Sequence, residues 1–156
     1  APSTTTDPSI TMTKYNTSTD YGENLDGMST LRPEDDAARA NMGGDWRMPT
    51  KDEFQELLDN TDHAWVENFN NSNVNGYTFT SRKNTSNYIF IPASERYKDF
   101  STYIRDISYG VWSSSLYTSS PREAWTLDFN SRYIEAEDEY DCTYDRYYGM
   151  VVRGVL

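Results

Sequence analysis

Trp112-Ser113-Ser114-Ser115-Leu116 opens the last third of the chain, and Gly149-Met150-Val151-Val152-Arg153-Gly154-Val155-Leu156 closes it. Between these frames runs a polar stretch. Residues 133–148 hold five tyrosines and six carboxylates, with no glycine and no proline. That composition does not describe a flexible linker, and large amphipathic rings beside small polar groups are what adaptable binding surfaces use. The pattern predicts a rigid domain that presents this stretch to a partner. Within it, Trp125-Thr126-Leu127-Asp128-Phe129 alternates, so the apolar side chains point one way and Thr126 and Asp128 the other. The same period buries Ile134 and Ala136 and exposes Tyr133, Glu135 and Glu137. Residues 150–156 read as a final strand.

Further back, Tyr77 and Phe79 alternate with Thr78 and Thr80, residues 84–87 are turn-like, and Tyr88-Ile89-Phe90-Ile91 is closed by Pro92. This predicts a hairpin with one central, well-buried strand. Residues 94–106 have no period and read as loop. Thr50 with Glu53 three positions on forms a capping box, and Phe54, Leu57 and Leu58 fall at i, i+3 and i+4, so a short scaffold helix runs to Asn60. An earlier helix is predicted from Pro33 in its first turn, with Glu34, Asp35 and Asp36 at the positive end of its dipole, through Ala37, Ala38 and Ala40 to a stop at Gly43-Gly44. Ile10 and Met12 alternate with threonines, predicting a first strand over residues 10–15. Residues 1–9 read as a solvated lead-in, and residues 10–156 as a single domain without internal repeats.

At 156 residues the chain suits one core. Hydrophobic residues are only 36%, but aromatics reach 15%, which predicts a core built on rings, with Trp46, Trp112 and Trp125 among them. The net charge of -11 repels phosphate backbones and anionic membranes, so nucleic acid is disfavoured as a partner. No apolar run is long enough to span a bilayer, and no signal peptide is recognisable. Single Cys142 excludes an internal disulfide and a multi-cysteine zinc site. The sequons at Asn16, Asn70 and Asn84 read as chance in so Asn-, Ser- and Thr-rich a chain.

Several motifs occur in an order that carries a resemblance. They are Gly43-Gly44-Asp45-Trp46-Arg47-Met48-Pro49-Thr50, Asn75-Gly76-Tyr77, Ile89-Phe90-Ile91-Pro92-Ala93, Trp112-Ser113-Ser114-Ser115, Ala124-Trp125-Thr126-Leu127 and Val151-Val152-Arg153. The chain resembles the Fibrobacter-type major paralogous domains of gut Bacteroidetes, which are similar to C-type-lectin-fold proteins. The resemblance implies an α+β, C-type-lectin-like fold with two short helices, twisted antiparallel sheets, and N- and C-terminal strands close together. The Trp-Ser-Ser motif, polar stretch and apolar-Arg strand also resemble the variable proteins of diversity-generating retroelements. In that family adenine-directed mutagenesis rewrites asparagine-type codons near the C-terminus. Glu135, Glu137 and Glu139 depart from that repertoire. Cys142, expected to be exposed, fits it as a random draw.

On this reading residues 112–148 carry the binding face. Its candidate ligand-binding residues are Tyr109, Tyr117, Ser119, Thr126, Asp128, Arg132, Tyr133, Glu135, Asp138, Tyr140, Asp141, Cys142, Thr143, Tyr144 and Asp145. Tyr133, Tyr140 and Tyr144, interleaved with carboxylates, are expected to be exposed, whereas Tyr147 and Tyr148 read equally well as core. The expected partner is a protein or glycan at a cell surface or virion, met outside the cell, with a basic patch facing the carboxylates. The oligomeric state is left open. A fixed structural or adhesin-like module of a bacterial surface assembly is the alternative. Calcium is disfavoured because the ordered Asp-x-Asp-x-Asp-Gly ligand pattern is absent, and no other metal or cofactor is expected. With one histidine, His63, one thiol, and neither a Gly-x-Ser-x-Gly elbow nor a phosphate loop, the sequence does not predict an enzyme.

Overall fold

The computed structural model describes residues 11–98, 101–102 and 108–156. These form an α+β fold with helices α1 (Ala37–Met42) and α2 (Lys51–Asn60). The strands are β1 (Thr61–Val66), β2 (Gly76–Ser81), β3 (Tyr88–Pro92), β4 (Tyr97–Lys98), β5 (Ser101–Thr102), β6 (Tyr109–Leu116), β7 (Glu123–Phe129), β8 (Ile134–Glu135), β9 (Thr143–Asp145) and β10 (Val151–Val152). One sheet has the order β1-β2-β3, and a larger one has the order β10-β6-β7-β8, with β9 also paired to β7. The larger sheet is mixed, not antiparallel throughout, because β10 runs parallel to β6.

Helix α2 forms as its capping box dictates. Thr50 Oγ1 accepts from the Glu53 amide at 3.2 Å, and Glu53 Oε2 accepts from the Thr50 amide at 2.9 Å. Arg47 then grips Glu53 through two hydrogen bonds of 2.5 and 2.6 Å. The inward face of α2 brings Phe54 and Leu58 onto Tyr77, Phe79, Ile91, Val111, Leu127, Phe129 and Ala136, which together make the core. Gly76 lets β2 approach β3: a Cβ there would sit 2.2 Å from the Ile91 carbonyl oxygen.

Helix α1 starts later than Pro33 implies. Residues 33–35 form a turn, and buried Asp36 is the N-cap, accepting from the amides of Ala38, Arg39 and Met48. A carboxylate that satisfies three backbone donors outweighs the preference of proline for the first turn. Gly43, at φ 70°, ends the helix as expected.

The first strand is not formed at residues 11–15, and residue 10 lies outside the described residues. Tyr15 adopts φ 57°, which breaks an extended run; its amide donates to Asp26 and its hydroxyl bonds Asp35. The N-terminal segment meets the C-terminal third through the Arg146 guanidinium, 5.6 Å from the Tyr15 ring, and through an antiparallel bridge between Thr30 and Ser115; among the described residues no N-terminal strand pairs with β10. The final strand is also shorter than residues 150–156, comprising β10 and one bridge between Arg47 and Val155. Strand β1 was not foreseen because Asp62, His63 and Ala64 are exposed on this edge and show no apolar alternation. The 94–106 loop contains the β4/β5 ladder, and its residues 99–100 and 103–106 lie outside the described residues.

Trp46, Trp112 and Trp125 are half-buried and stand at the margin of the core, not in it. The three serines after Trp112 coincide with a register shift in β6. Their hydroxyls supply what the interrupted ladder lacks: Ser113 donates to the Trp125 carbonyl at 2.7 Å, and Ser115 accepts from the Lys51 amide at 3.0 Å.

Arg47, aided by the Thr50 amide and hydroxyl, holds the Glu53 carboxyl at about 2 against the opposing effect of partial burial. A depressed carboxyl adds stability above its unfolded pKa and loses it as pH falls, here from 4.5 towards 2. Glu53 is about a third exposed, so screening limits the pair to about 1 kcal/mol. Glu53→Gln should lower neutral-pH stability by about that amount and flatten the acid limb of the melting temperature against pH.

Candidate ligand-binding surface

Strand β7 pairs with β6 on one edge and with both β8 and β9 on the other. Asp128 lies opposite Glu135, and Trp125 lies opposite Thr143. Residues 136–141 fall between these two registers and leave the ladder as an excursion. Its base is closed by Ala136 and Cys142, 1% and 0% exposed. Thr126 donates to the Cys142 carbonyl from its amide at 2.9 Å and from its hydroxyl at 3.2 Å. Asp138 turns the tip, its carboxylate accepting from the amides of Tyr140 and Asp141 and its carbonyl from the Cys142 amide. Thr143 Oγ1 donates to the Glu139 carbonyl at 2.8 Å. Tyr140 projects from this frame 93% exposed.

The expected site residues divide into three groups. Ser119, Arg132, Tyr133, Asp138, Tyr140 and Asp141 are exposed. Tyr117, Glu135, Thr143, Tyr144 and Asp145 are half-buried and already engaged. Tyr117 donates to Glu139 at 3.1 Å, the Thr143 hydroxyl also lies 3.2 Å from a Glu123 carboxylate oxygen, and Asp145 pairs with Arg122 at 2.5 Å. Tyr144 is a correction to the exposed ring expected of it: Arg96 lies 4.1 Å from its ring, and burial pushes its hydroxyl up to about 12.

Thr126, Asp128 and Cys142 are fully buried, so these three cannot contact a ligand, and half-buried Tyr109 packs against the core. Alternation along β7 does place Thr126 and Asp128 opposite the core, but that face is covered by the returning chain. Asp128 is compensated there. Arg96 Nη2 approaches its Oδ2 to 2.9 Å, in ion-pair contact but off the line of a hydrogen bond, and the Tyr133 hydroxyl donates to Oδ1 at 2.9 Å. Burial raises the Asp128 pKa against the pull of Arg96 and the tyrosine hydroxyls, and raises Tyr133 as well. Tyr109 stacks on Trp65 and packs against Phe129. The Cys142 thiol, expected at the surface, closes the excursion instead, and burial pushes it up to about 12.

Arg96 and Lys51 were not singled out from sequence. A carboxylate inside an apolar strand signals that a cation must meet it, but nothing in residues 94–106 marks which one. Lys51 links α2 to the excursion, 3.6 Å from Glu137 and 4.8 Å from the Trp125 ring. Beside the excursion lies an open recess of about 520 Å³ with Asp59, His63, Glu135, Glu137 and Asp138 on its walls. Burial, then Asp141, Asp138 and Asp128, raises the Glu135 pKa. Among the described residues no group of three or more His, Cys, Asp or Glu is placed to hold a metal ion. The surface offers hydrogen-bond acceptors, negative charge and an exposed ring.

No protein-family model, curated protein or solved structure matches the chain. Among the described residues no helix is long and apolar enough to cross a membrane.

Removing one member of a buried ion pair leaves an uncompensated charge and costs about 3–5 kcal/mol. Arg96→Met should destabilise by that order in urea titration, and adding Asp128→Asn should recover part of the loss. Strictly additive effects would contradict the pairing.

Proposed function

We propose that this chain is a non-catalytic ligand-binding domain of C-type-lectin-like fold, a receptor or adhesion module for a protein or glycan on a cell or phage surface. Its C-terminal surface is the one that a diversity-generating retroelement varies. The observation that carries this reading is the pinned excursion: Tyr140 is 93% exposed, yet both ends of its loop are buried. A large ring held in water on a fixed base gives contact area at little further entropic cost on binding.

On this reading diversification falls on the exposed positions, among them Ser119, Arg132, Tyr140 and Asp141, while Thr126, Asp128 and Cys142 are scaffold. The carboxylates of the excursion select a basic patch on the partner. Attraction of this kind acts over a Debye length of about 8 Å at physiological ionic strength and weakens with added salt.

The deciding experiment is to sequence the DNA around the gene. The expected result is a nearby reverse transcriptase and a near-copy of the segment encoding residues 112–156, mismatched at adenines in codons for exposed residues and matched at Thr126 and Asp128. Mismatches spread over buried codons, or no near-copy, would overturn the diversification. For a ligand recovered by selection against cell-surface proteins and glycans, Tyr140→Ala should weaken binding by about thirtyfold, the effect of a central aromatic anchor. An unchanged Kd would remove Tyr140 from the interface.

A further inference from the structure

A cavity of about 200 Å³ lies where the N-terminal segment crosses β6, and none of its lining residues belongs to the 136–141 excursion. Leu31, Met48, Trp112 and Leu116 give it apolar walls, and Arg146 stands in the same wall. An apolar cavity of about 150 Å³ accepts benzene, so this one has room for a single ring with a small substituent.

Arg146 is the feature that selects the ligand. Its Nη1 donates to the Pro121 carbonyl at 3.0 Å and to the Tyr15 carbonyl at 3.4 Å, and lies 3.4 Å from the Met12 sulfur, all neutral acceptors. The ion pairs of the described residues all use other cations. Among the described residues no carboxylate forms an ion pair with this half-buried guanidinium, and Asp26 acts on it only from beyond ion-pair distance, in a protein of net charge -11. Asp35, also in the wall, is already engaged: Lys14 Nζ is 3.0 Å from both its oxygens, and the Tyr15 hydroxyl bonds it too. Its charge is therefore largely neutralised and opposes an incoming anion only weakly. Guanidinium geometry matches a carboxylate, and the pairing strengthens as water is excluded.

We propose that this cavity binds a small monocarboxylate whose apolar body is about the size of one aromatic ring, with the carboxylate on Arg146 and the ring against Trp112 and Leu116. The site is independent of the ligand-binding surface and does not rest on it.

Benzoate and benzyl alcohol, which share the ring and differ in charge, test this by calorimetry together with tryptophan emission. Benzoate should bind saturably and at least about tenfold more tightly than benzyl alcohol, as a charge-assisted hydrogen bond requires. Arg146→Gln should bring benzoate down to the level of the alcohol. Because Arg146 also ties down two carbonyls, Ala37→Leu, which fills the cavity and leaves Arg146 in place, is the second variant; it should abolish binding of both probes with the circular dichroism unchanged. Absence of saturable benzoate binding to the unaltered chain, equal affinity for the two probes, or full binding by Ala37→Leu would each overturn the proposal.

Discussion

Two hydrogen bonds from Thr126 to the Cys142 carbonyl decide where the outer edge of the larger sheet resumes after leaving β8. Were the edge to continue in the β8 register, residues 136–141 would lie along β7 and nothing would project. Moving the register instead pushes residues 137–141 out and buries Ala136 and Cys142 at the points of departure and return. Thr126 can do this because it is wholly buried, where an unpaired amide or hydroxyl would cost about 1–3 kcal/mol. The excursion is thus fixed from beneath by buried residues, while Asp138 braces its tip and Glu137 and Glu139 are tied to Lys51 and Tyr117.

The same covering of β7 explains the buried charge. Once the returning chain lies over the polar face, Asp128 cannot be solvated, and Arg96 with Tyr133 replaces the lost water. Tyr144 completes that cover by stacking on Arg96, so a ring that composition alone would assign to a ligand is part of the scaffold. On β6, inside the same sheet, the serines after Trp112 take up backbone groups freed by the register shift and fasten the start of α2 to the strand. The surface and its support are therefore built from neighbouring residues of one polar stretch, distinguished by which way each side chain points.

Much of the frame was legible. The capping box at Thr50 and Glu53, the β2/β3 hairpin and the alternation of β7 follow from local rules, and each local preference agrees with the tertiary structure. Burial of the second face was not legible, because alternation reports which side a residue takes and not what covers that side. Tyr140 is exposed as expected because the carboxylates that flank it in sequence keep the tip in water. Asp128 and Cys142 were misplaced because their partners, Arg96 and Thr126, are distant in sequence or look like ordinary surface residues. The first strand failed at Tyr15, where a left-handed residue is stabilised by carboxylates ten or more positions away.

The most direct test of a pinned, ligand-presenting excursion is amide hydrogen exchange resolved by residue. The Thr126 and Cys142 amides should exchange only through global unfolding, while Glu137 and Glu139 at the projecting tip exchange freely in the folded state. If the Thr126 and Cys142 amides exchange as fast as the tip, the base is not closed, and the fixed presentation of Tyr140 is contradicted.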